Sequence, residues 1–229
     1  MIVNISPASQ DYLKVIYDLS EQHGRAATSQ IAEQLEIKPA SVTGMLQKMA
    51  KEDPPLVEYK KHQGVTLTCD GEKAALEIMR HHRLLESFLH EILGYSWDEV
   101  HEEAERLEHV ISEDMERRIA AVLGNPSRDP HGQPIPTQKL EIQALTDTPM
   151  GELRPPQNAI VQRVHDNDPE LLRYLADLGL QPGARLTVLA YVHFDQTLHV
   201  QIEGREETAV LGPSITGRIF VELEQHGQK

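Results

Sequence analysis

The 229-residue chain contains a single cysteine, Cys69. An internal disulfide is thereby excluded, as is a thiolate cluster drawn from one chain, and a reducing, cytoplasmic setting is the simplest expectation. Long apolar runs are missing too. Nothing approaches the roughly 18 apolar residues of a spanning helix, and MIVNISPASQDYL at the N-terminus has no basic segment followed by an apolar one. A soluble, non-exported protein with no membrane partner is expected. Positive charge is also scarce, with 22 Lys+Arg against 36 Asp+Glu and a net charge of −14. As a sum this argues against nucleic acid, because neutralising phosphate rests on Lys and Arg. The distribution argues otherwise: residues 1–64 carry a net charge of −1, and the other −13 lies beyond them. A nearly neutral head leaves DNA binding open, and the acidic body is a set of carboxylates that repel one another unless cations intervene.

What is present is concentrated in His81 to Val110, HHRLLESFLHEILGYSWDEVHEEAERLEHV, which holds five of the twelve histidines. Residues three or four apart share one helix face. His82 and Glu86 therefore pair on one helix, while His101, Glu105, Glu108 and His109 form a ridge on a second. Gly94 interrupts the pattern, so an αα-hairpin turning at Gly94 to Ser96 would face the two sets toward each other. Such N and O donors suit a divalent first-row cation. A solvated charged face is the competing reading of residues 98–118.

The chain is long enough for two domains or three small ones. A first helix is expected from Ser6 or Ser9 to His23, with Tyr12, Val15, Ile16 and Leu19 at helical spacing. Asp11 falls in its first turn, where a carboxylate favours the helix dipole. Thr28 can cap a second helix, and Pro39 suits the first position of a third. In that third helix Val42, Met45, Leu46 and Met49 make an inward stripe. Two short helices joined by a tight turn are a helix-turn-helix, and the β runs Leu56–Tyr59 and Val65–Thr68, joined by the basic KKHQG, add a wing. Pro39, Ala40, Ser41, Thr43, Gln47 and Lys48 face outward as candidates for DNA contact. At the hairpin, Lys60 and Lys61 would meet phosphate. A long helix from Thr68 or Asp70 leads into the His/Glu stretch, and its partner is expected to run unbroken from about Ser96 to Leu123. Residues 124–157 read as a linker with a short helix at Gln138 to Leu145. Beyond Asn158, five short strands and one helix, Pro169 to Leu178, suggest a small barrel.

IAEQLEIKPASVTGMLQKM, LTCDGEKAA, MRHHRLLESFL, VHEEAERLEHV and SRDPHGQPIP, in this order, resemble the diphtheria toxin repressor family of metal-dependent transcriptional regulators, and LRYLADLGLQPGARLTV resembles the SH3-like domain of many members. The resemblance spans nearly the whole chain. It implies a mainly α protein with a small β part: a winged helix-turn-helix at 1–70, a helical metal-binding and dimerisation domain at 71–145, a linker at 146–157 and an SH3-like barrel at 158–229. It implies a principal metal site of Asp11, His82, Glu105, Glu108 and His109, and an ancillary site of Glu86 and His101. Where iron-responsive members have methionine and cysteine, this chain has Asp11 and Glu105, as in manganese transport repressors. Hard oxygen donors suit Mn(II), with Fe(II) as the alternative. Lys14 departs from the manganese pattern, which has a glutamate there; a protonated lysine does not ligate, so Glu86 and His101 are the expected second site. His165 or Asp166 would substitute for ligands that iron-type members draw from the SH3-like domain. The implied function is a homodimeric, non-enzymatic repressor that binds a double-stranded operator of metal-homeostasis genes. Two alternatives stand beside it: a winged-helix regulator with no metal response, and a carboxylate-bridged metalloenzyme. The latter class uses Glu-x-x-His pairs, and here Arg106 and Met79 occupy the position three before His109 and His82.

Overall fold

Ser6 caps the first helix, α1 (Pro7–His23), through its side chain, and Gly24 ends it in a left-handed conformation. This is the sequence logic of an N-cap hydroxyl, proline in the first turn and glycine after the last. The computed structural model describes residues 5–165 and 168–224. It divides into two compact units, one of Met1–His82, Arg106–Glu116 and Pro136–Glu141, the other of Arg83–Glu105, Arg117–Ile135 and Ile142–Lys229.

In the first unit α1 is followed by α2 (Thr28–Gln34) and α3 (Pro39–Met49). Ala27, not Thr28, takes the N-cap position of α2, and its N–H donates to the Gln30 side chain at 3.0 Å. Leu13, Ile16, Ile31, Val42, Leu46 and Met49 are fully buried; burying each contributes about 1.5–3 kcal/mol. Strands β1 (Val57–Lys60) and β2 (Gly64–Leu67) form the wing, with Lys60 opposite Gly64. Gly64 has φ +84°, and a Cβ there would stand 2.7 Å from the Ala26 carbonyl oxygen. That close approach lets Ala26 and Val65 exchange two backbone hydrogen bonds of 3.0 Å, which fastens the wing to the segment before α2.

Helix α4 (Cys69–Glu91) follows, then α5 (Val100–Leu107) and α6 (Glu113–Val122). The single helix expected from Ser96 to Leu123 is thus two helices with a break at 108–112. Ser112 causes the restart: its hydroxyl accepts from Met115 N–H at 3.3 Å and its carbonyl from Glu116 N–H at 2.9 Å, as an N-cap serine does. The expected helix at Gln138 to Leu145 is absent. The Thr137 hydroxyl accepts from Lys139 N–H and Glu141 N–H, and this local bonding displaces the helical pattern.

In the second unit, β3 (Thr148–Pro149), β4 (Asn158–Val164), β5 (Arg185–Val192), β6 (Thr197–Ile202), β7 (Thr208–Leu211) and β8 (Ile219–Leu223) form one antiparallel sheet in the order β3-β8-β4-β5-β6-β7. Helix α7 (Pro169–Leu178) carries an Asp168 N-cap and a left-handed Gly179 C-cap; α8 (Pro213–Thr216) is a single turn. Inward residues such as Val161, Leu172, Val188, Val200 and Val221 make the core, and Trp97 joins it. Residues 131–133 of the Pro/Gly-rich stretch are tied to this sheet: Val164 N–H donates to the His131 carbonyl at 2.9 Å, and Gln133 Nε2 to the Val164 carbonyl at 3.1 Å. A Cβ on Gly132 would stand 2.0 Å from the Gln162 oxygen, so no larger residue fits.

Candidate metal centres

On α1 the buried face is Ser9, Tyr12, Leu13, Ile16, Tyr17 and Leu19, which turns Gln10, Asp11 and Lys14, at spacings of one, three and four, to another side. The helix begins at Pro7 and has no acidic residue in its first turn. Asp11 therefore lies too far in to serve the helix dipole, and its partner is His109. His109 Nε2 is 3.0 Å from Asp11 Oδ1 and 3.4 Å from Glu108 Oε1. The other ring nitrogen, Nδ1, faces the Gln10 amide oxygen at 2.7 Å; that oxygen accepts, so Nδ1 carries the proton and Nε2 is the atom presented to the carboxylates.

Glu108 is the centre of this group and is 1% exposed. Its two oxygens receive the Lys14 ammonium at 2.7 and 2.9 Å, and Oε2 meets His82 Nδ1 at 2.5 Å. Burial raises its pKa, but the hydrogen bond and charge of His82, with the charge of Lys14, outweigh burial and hold the carboxyl below its ordinary value. One donor atom each from Asp11, Glu108 and His109 lies within 4.8 Å of the others. Donors bound about 2.1 Å from one ion at right angles lie about 3 Å apart, close to the separations here. Two carboxylates and an imidazole in this spacing fit a divalent first-row cation.

A second group lies in the other unit. Glu86, Asp129 and His131 are 2%, 7% and 3% exposed, and one donor atom of each falls within the same 4.8 Å limit. His131 Nε2 donates to the Trp97 carbonyl at 2.9 Å, leaving Nδ1 turned toward Glu86 Oε2 at 3.7 Å. Asp129 Oδ1 accepts from the His131 and Gln133 N–H groups, while Arg83 Nε is 3.8 Å from Oδ2. Burial, then the Glu86 charge, push the Asp129 carboxyl up to about 7 against the opposing pull of Arg83 and His131. For His131, burial works downward, but the neighbouring Glu86 carboxylate and the Asp129 charge hold it above its ordinary value. A cation would relieve the Glu86 repulsion that adds to burial in the first of these shifts. His101 Nδ1 is 3.1 Å from Glu86 Oε1.

Each unit gathers part of the donor set expected from sequence. Asp11, His82, Glu108 and His109 come together, and Glu86 and His101 come together. Glu105 is 56% exposed at its side chain, with His101 Nε2 3.6 Å away. His165 is exposed and meets Gln133 at 3.3 Å; Asp166 lies outside the described residues. Asp129 and His131 were missed. They sit two apart in the stretch SRDPHGQPIP, where no helical or strand period exists to flag them.

Of the residues expected to face DNA, Pro39, Ala40, Ser41, Gln47, Lys48, Lys60 and Lys61 are exposed, and Thr43 is half-buried with its hydroxyl donating to the Pro39 carbonyl.

The chain matches known protein families along most of its length. Residues 4–65 match the iron dependent repressor N-terminal DNA binding domain, residues 68–137 the iron dependent repressor metal binding and dimerisation domain, and residues 148–223 the FeoA domain. The iron-dependent repressor IdeR of Mycobacterium leprae (strain TN) is 36% identical over 192 residues, covering 77% of this chain and 81% of that protein. The diphtheria toxin repressor of Corynebacterium glutamicum is 32% identical over 189 residues, covering 78% of this chain and 82% of that protein. Among solved structures, a manganese-dependent transcriptional repressor in complex with manganese superposes with a TM-score of 0.87 at 39% identity, covering 94% of this chain and all of that one. The manganese regulator SloR gives 0.78 at 32% identity, over 96% of this chain and all of that one. The chain belongs to the iron-dependent repressor, or diphtheria toxin repressor, family of metal-dependent DNA-binding transcriptional repressors, with a FeoA, SH3-like domain at its C-terminal end.

Proposed function

We propose that this chain is a Mn(II)-responsive repressor of metal-homeostasis genes, with Fe(II) as the alternative ion, and that it binds a double-stranded operator as a homodimer. The observation that carries the reading is the convergence of Asp11, Glu108 and His109 from two distant parts of the sequence. Its oxygen-rich donor set favours Mn(II) among first-row ions selected by ligand type. We assign Asp11, His82, Glu108 and His109 to the first centre. Glu86, His101, Asp129 and His131 are assigned to the second. The proposed domain layout is the one read from sequence, with reader helix α3 in the first domain.

When bound, the ion supplies a cross-link and positive charge. The rest follows from the residues. Asp11 stands on α1, which packs on α2 and β2, so fixing Asp11 to Glu108 and His109 fixes the body that carries α3. In a homodimer held by the helical domain, this fixes the separation of two α3 helices, which must match half-sites about one DNA turn apart. Occupancy shifts the population by the difference in affinity between the two arrangements. Ser41, Thr43 and Gln47 read base edges from α3, with Pro39 and Ala40 against the groove wall; Lys48, Lys60 and Lys61 bind phosphate.

Titration of an operator fragment, followed by fluorescence anisotropy, should show binding at least about tenfold tighter with Mn(II) than with a chelator, within the usual range of allosteric coupling. Equal affinities would falsify metal control. They would favour the second reading, a winged-helix regulator without metal response, which the Lys14 ammonium on Glu108 supports: that buried carboxylate already has a cation.

A further inference from the structure

Helices α4 and α6 carry a third imidazole–carboxylate group that neither centre uses. His81 is 8% exposed. Its Nδ1 lies 3.2 Å from the backbone oxygen of Glu108, which can only accept, so Nδ1 carries the proton. Nε2 is turned the other way, buried and without a hydrogen-bond partner, 3.4 Å from Glu113 Oε1. Glu116, 7% exposed, also has a buried Oε1 with no hydrogen bond; Arg80 Nη2 lies 2.7 Å from it and pairs in charge without an aligned N–H. Glu77 adds a further carboxyl beside Glu113. One donor atom each from His81, Glu113 and Glu116 lies within 4.8 Å of the others.

The same wiring appears at His109 and His131: one ring nitrogen donates to an oxygen that can only accept, and the other is aimed at carboxylates. Locking one nitrogen in this way fixes the tautomer and orients the other as a ligand. At His81 the buried lone pair meets carboxylate oxygens, acceptor against acceptor, one from the exposed Glu113 and one from the buried Glu116. Buried polar atoms left in this state are costly unless something joins them.

We propose that His81, Glu113 and Glu116 bind a third divalent first-row cation, which fastens the first turn of α6 to α4. One imidazole and two carboxylates select the same class of ion as the first centre. Because His81 Nδ1 holds the backbone of Glu108, occupancy here steadies the segment that presents Glu108 to the first centre.

Equilibrium dialysis of the full chain against buffered Mn(II), counting ions per chain, tests this without reference to DNA. Glu113 is 69% exposed at its side chain, so Glu113→Ala should fold normally, as its melting curve in chelator will report. His81→Gln is the second variant. Each should lose one ion at saturation, or weaken one binding step at least about tenfold. Asp11→Asn should lose a different ion, so that its combination with Glu113→Ala loses both. Parental stoichiometry and affinities in either Glu113→Ala or His81→Gln would overturn the proposal and leave an imidazolium–glutamate pair.

Discussion

Lys14 Nζ sits between the two oxygens of the buried Glu108 carboxylate, at 2.7 and 2.9 Å, and so occupies the place where a bound cation would be neutralised. The ammonium stabilises the metal-free protein and competes for the carboxylate that the first centre requires. Lys14→Met should therefore bind Mn(II) about tenfold tighter, a gain of about 1.4 kcal/mol, while its metal-free form melts lower because a buried charge has lost its partner. Calorimetric titration with a melting curve in chelator measures both. Weaker Mn(II) binding by the variant would show that Lys14 supports the site instead of opposing the ion.

Glu105 and Glu108 are three apart on the sequence but differ in burial, 56% against 1% side-chain exposure. Glu108→Ala should abolish the tightest Mn(II) binding step, and Glu105→Ala should change it by no more than about threefold, as an exposed charge in water does. Equal losses in the two titrations would place Glu105 in the first centre.

The second centre rests on residues from the ordered Pro/Gly-rich stretch. Asp129→Asn and His131→Gln should each reduce the Mn(II) count by one and leave the first binding step intact. Retention of every ion by both variants would remove these residues from the ligand set.

Asp98 and Arg173 provide a pH-dependent contact, 2.8 Å apart. Burial raises the Asp98 pKa, but hydrogen bonds from Arg173 and Ser96 outweigh it and hold the carboxyl below its ordinary value. A depressed carboxyl contributes stability that is present above its unfolded pKa of about 3.9 and is lost as pH falls through the folded value. Arg173 is 56% exposed, so the contribution is below about 1 kcal/mol. Urea titrations should find Arg173→Ala slightly less stable than the parent at pH 7, with the gap closing in acid below the ordinary carboxyl range. A gap of the same size at both would mean that lost packing, not charge, is responsible.

At the DNA-reading end, Lys60→Ala or Lys61→Ala should weaken binding to specific and random duplexes alike and lower the salt slope by about 1 each. Gln47→Ala should instead alter base preference by about 1–3 kcal/mol at one position. Selection experiments on randomised operators separate the two outcomes.

Much of the fold was legible because it is local. Ser6 and Pro7 mark the start of α1, Pro39 the start of α3, and Pro169 with Gly179 bracket α7, all from capping chemistry that acts within a few residues. Strands β4 to β8 fall close to their alternating runs for the same reason. The break between α5 and α6 was not legible, because His101, Glu105 and Glu108 continue a helical period straight toward it. Nothing in that period reports that Ser112 will restart the helix or that Lys14 and His82 will hold Glu108.

Sequence alone determined the winged DNA reader, the donor-rich segment and, through resemblance, the family. Tertiary structure decided which donors meet: it grouped Asp11 with Glu108 and His109, left Glu105 exposed beside His101, and brought Asp129 and His131 to Glu86. The physical reason is range. Caps, periods and turns are set by neighbours along the chain, whereas a metal centre depends on ångström-scale distances between side chains up to about a hundred residues apart, fixed by packing that no local pattern encodes.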